Sequence, residues 1–215
     1  GGEVRFHTKV TGIRTKRSID FSDEPALAML HLEDTRTNIG EDLLTDVAVL
    51  AIGHSARDTF RLLNLSDIKM EPKPFAVGVR VEHPQDMIDE SQYGKNAPES
   101  LPAAAYKLTA KTKEGRGVYT FCMCPGGYVV NASSEENRLA VNGMSYSGRN
   151  GKNANSAVIV TVSPEDFPEK GILGGLAFQR QLEEAAFAEG QGKIPVQLFG
   201  DFKKNVPSSS AGAIA

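Results

Sequence analysis

The chain has 215 residues, of which 40% are hydrophobic and 24% are charged, and its formal net charge is −3. This balance is typical of a globular protein with one large domain or two small ones, and the slightly negative charge argues against a nucleic-acid-binding surface, which is normally basic. No apolar run reaches the roughly 18 residues that a membrane span needs. Two cysteines without a signal peptide favour a reducing compartment, so we expect a cytoplasmic protein with neither a membrane nor a nucleic-acid partner.

The N-terminal third alternates strand-like and turn-like segments. Gly2–Ile13 predicts a strand, and Ala26–Glu33 predicts the strand that pairs with it. Thr45–Ile52 is a continuous apolar run, which is typical of a strand covered on both faces in a parallel or mixed sheet. It ends at Gly53 and precedes a helical pattern over Ala56–Leu65. In α/β proteins a buried strand, a glycine and a helix in this order often form a ligand site.

The helix start and a break in the chain follow from local signals. Ser55 is predicted to cap the helix, with Asp58 in its first turn. Met70–Pro74 contains two prolines and is the predicted boundary between two parts of the chain. After this boundary, Phe75–His83 alternates apolar and polar residues and predicts an amphipathic strand, and Pro84–Tyr93 predicts a short helix.

The segment Gly117–Ser134 is central to the second part. Two β-prone runs, Val118–Cys124 and Tyr128–Ala132, flank Pro125-Gly126-Gly127, which is strong turn chemistry. We therefore predict a β-hairpin there. The other predicted elements of this part are strands over Ala103–Lys111, Leu139–Tyr146, Ala157–Val162 and Pro195–Phe199, a helix start or turn at Ser163–Asp166 and a helix over Gly175–Ala188.

Two groups of residues could carry chemistry. Cys122 and Cys124 are two residues apart in a predicted strand and so face one side, where two thiols could bind a soft metal or be oxidised; small buried core residues are the alternative. No paired histidine spacing completes a zinc site, so no metal site is predicted. Tyr146 and Arg149 lie with Asn150, Asn153 and Asn155 in a predicted loop that could bind an anion or the edge of a heterocycle, or could simply be solvated. His54, Ser55 and Asp58 are too close in sequence for a catalytic triad.

Several stretches together resemble a known family. VAVLAIGHSARDTF, KPFAVGVRVEHPQDMID, FCMCPGGYVVNASSEENRLAVNGMSYSGRNGKNANSAVIVTV and FQRQLEEAAFAEGQGKIPVQLFGDF are similar to uncharacterised bacterial FAD-dependent dehydrogenases. These are flavoproteins with two dinucleotide-binding folds, related to glutathione reductase-type and HI0933-like flavoproteins. The strand–turn–helix fingerprint with which the family begins and the motif with which it ends have no counterpart here. The resemblance therefore implies the middle portion of a longer enzyme, and the absence of an initiator Met points the same way.

The resemblance also implies site residues. Ala51, Ile52, Gly53 and His54 would lie near the cofactor, and Gly126 and Gly127 would belong to a turn that faces the flavin. The catalytic candidates on the substrate side are Cys122, Cys124, Tyr146 and Arg149. FAD is expected in the parent protein but not held by this fragment alone, NADH or NADPH could be the electron donor, and the substrate is an unknown small molecule.

The sequence and the resemblance together predict an α+β chain rich in antiparallel strands. Residues 1–72 would be an incomplete part of an FAD-binding domain, 73–195 an inserted strand-rich domain on the substrate side, and 196–215 a return segment. The predicted function is that of a fragment of an FAD-dependent oxidoreductase, inactive by itself. The alternative is a non-catalytic, strand-rich binding module for a protein or peptide partner, without flavin.

Overall fold

The computed structural model describes residues 2–17, 25–98 and 100–210. They form two compact units, the first comprising Gly1–Pro72 with Gly171–Leu176 and the second Lys73–Lys170 with Ala177–Ala215. Every strand pairing in these residues is antiparallel. The predicted α+β class with antiparallel strands is confirmed, whereas the roles predicted for 1–72, 73–195 and 196–215 stay predictions.

The first unit is a three-stranded sheet with one helix. β1 (Thr8–Arg17), β2 (Pro25–Asp34) and β3 (Gly40–Leu44) follow one another in the sheet, and α1 spans Arg57–Leu65. The predicted pairing of the first two strands is confirmed, with Val10 opposite Leu32. The core of this unit is small, and its buried apolar residues are Met29, Leu32 and Leu63.

The predicted buried strand over Thr45–Ile52 is wrong. None of these residues is part of a strand, and Val47, Val49 and Leu50 are 76%, 86% and 54% exposed. An apolar run becomes a buried strand only where other strands and a covering layer are available, and β3 ends before it at Leu44. The predicted Ser55 cap is also wrong, because the N-cap of α1 is Ala56 and no side chain caps it.

The second unit is built on a four-stranded sheet. The strands of this unit are, in chain order, β4 (Phe75–Pro84), β5 (Thr109–Lys111), β6 (Gly117–Cys124), β7 (Gly127–Asn131), β8 (Val141–Ser145) and β9 (Asn153–Val162).

 The order of the four-stranded sheet is β4-β9-β6-β5, so that β9 lies between β4 and β6. β7 pairs with β8 in a separate two-stranded ribbon.

Helices flank these strands. α2 spans Gln85–Tyr93, α3 spans Gly174–Gly190 and α4 spans Phe199–Lys204, and a short 3-10 helix covers Pro164–Asp166. The strand predicted over Pro195–Phe199 is wrong, because this segment has no strand partner and leads directly into α4. α3 ends at Gly190, and Pro195 lies in the irregular segment that follows.

Aromatic rings fill the core at one end of the four-stranded sheet. Phe75 on β4 stacks on Phe167 with ring centroids 5.2 Å apart, and Phe178 lies 6.1 Å from Phe167. Phe167 is 2% exposed, and Val162 at the end of β9 is 6% exposed. Burial of side chains of this size is the main stabilising contribution to such a core.

The predicted hairpin around Pro125-Gly126-Gly127 is wrong. Both strands exist, but β6 pairs with β5 and β9 whereas β7 pairs with β8. The chain changes direction at Gly126, whose φ of +52° favours glycine. A Cβ atom at Gly126 would collide with the carbonyl of Arg149. The turn is therefore packed against the loop that follows β8, and it sends β7 into another sheet.

Candidate ligand-binding site

One face of the four-stranded sheet brings polar side chains from three strands together. The registers place Arg80 opposite Ala157 and Ala157 opposite Phe121, and the next row on the same face contains Glu82, Asn155 and Cys124. Side chains two residues apart on a strand share a face. Arg80, Asn155 and Cys124 are therefore neighbours, although they are far apart in the sequence.

A β-bulge shapes this face at the predicted cysteine site. The pairing of β6 with β9 shifts between Phe121 and Cys124, so that one extra residue is accommodated on β6. Cys122 lies in the bulge with φ of +46°, which is uncommon for a residue with a side chain. Its thiol is exposed, the thiol of Cys124 is half-buried, and both are free. The prediction that both cysteines face one side assumed a regular strand, and the bulge interrupts that regularity.

Arg80 holds the bulge in place. Its Nε donates a hydrogen bond to Asn155 Oδ1 at 2.6 Å, and its Nη2 donates to the carbonyl of Cys122 at 2.6 Å and lies 3.5 Å from Cys124 Sγ. Nη1 is 3.4 Å from Asn142 Oδ1. One guanidinium thus connects β4, β6, β8 and β9.

Asn155 is the most deeply buried member of this arrangement. It is 0% exposed, and its Nδ2 has no hydrogen-bond partner in the described chain. The orientation of the amide follows from chemistry, since an arginine has donors only and the oxygen of Asn155 must therefore face Arg80. The sequence had suggested a loop position for Asn155, but the residue lies inside β9.

The ribbon covers the guanidinium closely at Gly143. A Cβ atom at this position on β8 would collide with Arg80 Nη2 and with Asn155 Oδ1. Glycine is therefore required here for the close approach of backbone and guanidinium. Larger residues would push β8 away from Arg80 and open the arrangement.

The predicted turn glycines are buried and serve internal packing. Gly126 donates its backbone N–H to Gln85 Oε1 at 2.8 Å, and Gln85 in turn donates to Asp89 and to the carbonyl of Ala104. A Cβ atom at Gly127 would collide with the carbonyl of Met144. The protein's own backbone thus occupies the space beside both glycines, and their predicted role in cofactor binding stays a prediction.

Tyr146 and Arg149 lie in the loop between β8 and β9. Arg149 has φ of +47° and donates its backbone N–H to the carbonyl of Tyr146 at 3.0 Å. Tyr146 is 65% exposed, and its ring lies 6.4 Å from that of Tyr128 in an edge-on arrangement. The structure gives neither residue a side-chain contact with Cys122 or Cys124, so the four catalytic candidates do not form one constellation in the described chain.

Ala51, Ile52, Gly53 and His54 belong to the first unit. They lie in an irregular segment before α1, in which Ile52 is 36% exposed. Gly53 has φ of +68°, and a Cβ atom there would meet nothing within 4 Å. This open backbone is compatible with a close approach of a ligand, and the predicted cofactor role stays a prediction.

A second polar group occupies the opposite face of the four-stranded sheet. His83 and the hydroxyl of Tyr106 are 2.8 Å apart. Burial raises the pKa of Tyr106 above its ordinary value, while a hydrogen bond with Ser156 and the positive charge of Arg80 act in the other direction. Tyr106 therefore stays protonated at neutral pH.

The described residues contain neither a metal-binding cluster nor a membrane-spanning helix. Among residues 2–17, 25–98 and 100–210, no group of three or more His, Cys, Asp or Glu side chains could hold a metal ion. No helix in the same ranges is both long and apolar enough to cross a membrane.

Comparison with known proteins identifies the family. A family profile described as "FAD-dependent protein, C-terminal domain-like" matches residues 74–215, which is more than half of the chain. The chain belongs to this family of FAD-dependent proteins. An uncharacterized protein of Clostridium beijerinckii is 48% identical to the chain over 218 residues. The match covers the whole of this chain, which spans 38% of the length of that relative. The closer relation to HI0933-like flavoproteins stays a prediction.

No described segment of this chain has the arrangement that usually binds the pyrophosphate of a dinucleotide. The pyrophosphate of a dinucleotide is normally bound where a strand leads through a glycine-rich turn into a helix N-terminus. The segment before α1 is not a strand, and β4 leads into α2 through Pro84 and Gln85 without a glycine. No other described segment has that order.

Arg80 was missed as a site residue by the sequence analysis. The signal was a charged residue between Val79 and Val81 in the middle of a strand, where half of the side chains face a neighbouring layer. The alternation of apolar and polar residues along this strand had indicated that Arg80 faces solvent. Only the register with β9 and β6 shows that its side chain reaches buried acceptors.

Proposed function

We propose that this chain is the substrate-side portion of an FAD-dependent oxidoreductase. The match of residues 74–215 to the C-terminal domain of FAD-dependent proteins carries the proposal. When bound, the flavin supplies the redox chemistry, because its N5 position accepts or donates a hydride. The whole protein would hold the dinucleotide mainly through residues other than those described above.

The arrangement around Arg80 supports a binding role on that side. A fixed guanidinium next to free thiols and side-chain amides offers charge and directional donors to a polar ligand. Its donors are oriented in advance by β6, β8 and β9, which lowers the cost of ordering them when a ligand binds. We assign no acid or base to the reaction, and Cys122, Cys124, Tyr146 and Arg149 remain candidates for contacts with the substrate.

The experiment that tests the proposal uses the longer relative as a host. In the Clostridium beijerinckii protein, the 218-residue segment that matches this chain is replaced by the chain itself. The purified chimera and the unaltered relative are denatured, and the released flavin is identified by absorbance and fluorescence. Stoichiometric FAD in both, reduced by NADH or NADPH, is the expected result.

The opposite result has a clear meaning. If neither protein contains FAD or takes it up on addition, the oxidoreductase proposal fails and the strand-rich binding module becomes the better explanation. If only the chimera lacks FAD, while circular dichroism shows that it is folded, this chain does not fulfil the role of the corresponding segment.

A further inference from the structure

Arg80 carries a positive charge that no carboxylate neutralises within the described residues. Its hydrogen-bond acceptors are all uncharged: the side-chain oxygens of Asn155 and Asn142, the carbonyl of Cys122 and the thiol of Cys124. Glu82, two residues along the same strand, accepts its hydrogen bond from Asn153 instead. A half-buried charge is normally paired, so the arrangement lacks an anion.

The same place also has more donors than acceptors. Arg80 has five N–H groups, and its Nη1 makes only the 3.4 Å contact with Asn142 Oδ1. That oxygen also accepts the backbone N–H of Gly143 at 2.8 Å, which leaves Nδ2 of the exposed Asn142 as a further donor. The buried Nδ2 of Asn155 has no partner among the described residues either. The missing component is therefore a hydrogen-bond acceptor with negative charge.

An exposed aromatic ring borders the charge. Phe121 is 57% exposed and lies in one row with Arg80, with only the small side chain of Ala157 between them. Adjacent strands are about 4.8 Å apart, so the Cα atoms of Arg80 and Phe121 are separated by about 10 Å. The side chain of Arg80 shortens this gap, because it crosses β9 to reach the carbonyl of Cys122, the residue next to Phe121.

We propose that Arg80, Asn142 and Phe121 form a binding site for a carboxylate attached to an apolar group. The carboxylate accepts hydrogen bonds from Nη1 of Arg80 and Nδ2 of Asn142, and the apolar group covers the ring of Phe121. A carboxylate matches the planar donors of a guanidinium, and the exposed ring adds selectivity for an apolar body. The statement that this ligand is the substrate rests on the proposed function. The statement that the chain binds it does not.

The binding test uses the chain alone, without flavin. Benzoate is the probe, and it is titrated at constant ionic strength while amide NMR signals of Phe121, Asn142 and Gly143 are followed. Benzamide, which has the same ring without the charge, and inorganic phosphate, which has charge without the ring, are titrated in parallel. Saturable shifts with benzoate, at least about tenfold weaker binding of phosphate and no saturation with benzamide are expected.

One substitution removes the charge imbalance without removing Arg80. Asn142→Asp keeps an oxygen for Gly143 and Arg80 but adds a negative charge, so benzoate should bind about tenfold more weakly. Asn131→Asp is the matched control, because Asn131 also accepts a backbone N–H, from Ser133, and lies on the other face of the β7–β8 ribbon. The control should bind benzoate within about twofold of the unaltered chain.

The outcomes separate the site from the proposed function. Absence of saturable benzoate binding, equal binding of phosphate and benzoate, or equal loss in Asn142→Asp and Asn131→Asp would each overturn the site. Phe121→Ser should weaken benzoate but leave acetate unchanged. FAD content of the chimera is measured separately, so benzoate binding by a chain whose chimera lacks FAD would retain the site and reject the oxidoreductase.

Discussion

Similar apolar segments are exposed in the first unit and buried in the second. In the first, the run that contains Val47 and Val49 lies open, and these side chains are 76% and 86% exposed. In the second, β9 has a strand on each side, and Ala154 and Val162 are 0% and 6% exposed. Both segments have β-prone composition, so the difference lies in the presence of pairing strands. Composition creates the tendency to form a strand, and neighbours decide whether it is realised.

The polar contacts of the two units also differ in how deeply they are buried. The ion pairs of the first unit, such as Lys9 with Asp58 at 2.7 Å, join exposed side chains, which contribute little to stability. In the second unit, Gln85 is 4% exposed and connects α2, the segment at Ala104 and the turn at Gly126. Loss of a buried hydrogen-bond partner is costly. We therefore expect the second unit to respond more strongly to substitution.

The largest effect is expected at Gly126 in the second unit, and Gly53 in the first unit, which also has a positive φ, is the comparison. Gly126→Ala should lower the free energy of unfolding by about 3 kcal/mol or more, because the new Cβ collides with the carbonyl of Arg149 in addition to the unfavourable backbone conformation. Gly53→Ala has only the conformational cost, about 1 kcal/mol. Urea denaturation of the chain measures both, and equal losses would contradict the packed turn.

A smaller effect should separate the two apolar segments. Val162→Ala removes buried methyl groups and should cost about 2 kcal/mol. Val49→Ala, at an exposed position, should change stability by less than about 0.5 kcal/mol. Urea denaturation measures the free energy of unfolding of both variants. A comparable loss at Val49 would mean that the segment is covered in solution.

The smallest effect concerns two carboxylates and depends on pH. Arg116 donates two hydrogen bonds of 2.7 Å to Asp166 and holds the pKa of that carboxyl well below its ordinary 3.8. Arg36 likewise lowers the pKa of Asp34, with hydrogen bonds of 3.2 and 2.8 Å. Because the folded pKa is lowered, each contribution is present above about pH 4 and is lost as the pH falls below the unfolded pKa.

Asp166 should matter more than Asp34. Both carboxylates accept a backbone N–H, Asp166 from Ser163 and Asp34 from Arg36. The difference is that Asp166 joins segments 50 residues apart, whereas Arg36 is only two residues from Asp34. Asp166→Asn should therefore lower the urea midpoint at pH 7 more than Asp34→Asn, and the difference should shrink toward pH 3. A difference that does not change with pH would contradict the ionic explanation.

Local patterns predicted most elements but not their partners. The alternation in Phe75–His83 and the helical spacing in Gly175–Ala188 identified β4 and α3 with their approximate ends. The hairpin prediction failed because turn residues describe a change of direction and not the strand that follows it. Gly126 does turn the chain, but the loop at Arg149 determines where β7 goes.

The candidate site was harder to predict for the same reason. The two cysteines were visible in the sequence, whereas Arg80 becomes a neighbour of Cys122 only through the order of β4, β9 and β6. Neither the bulge at Cys122 nor the burial of Asn155 has a local signal. A single sequence indicates residue types and periodicity, and the pairing of distant strands lies beyond both.

The Arg80 arrangement also has a consequence for the order of folding. Its hydrogen bonds join residues 42, 62 and 75 positions apart. Contacts between such distant positions require closure of long loops, which slows their formation. Local elements such as α3 can form earlier, while this face is complete only after β9 has inserted between β4 and β6. Ligand binding at Arg80 would therefore report the last stage of folding of the second unit.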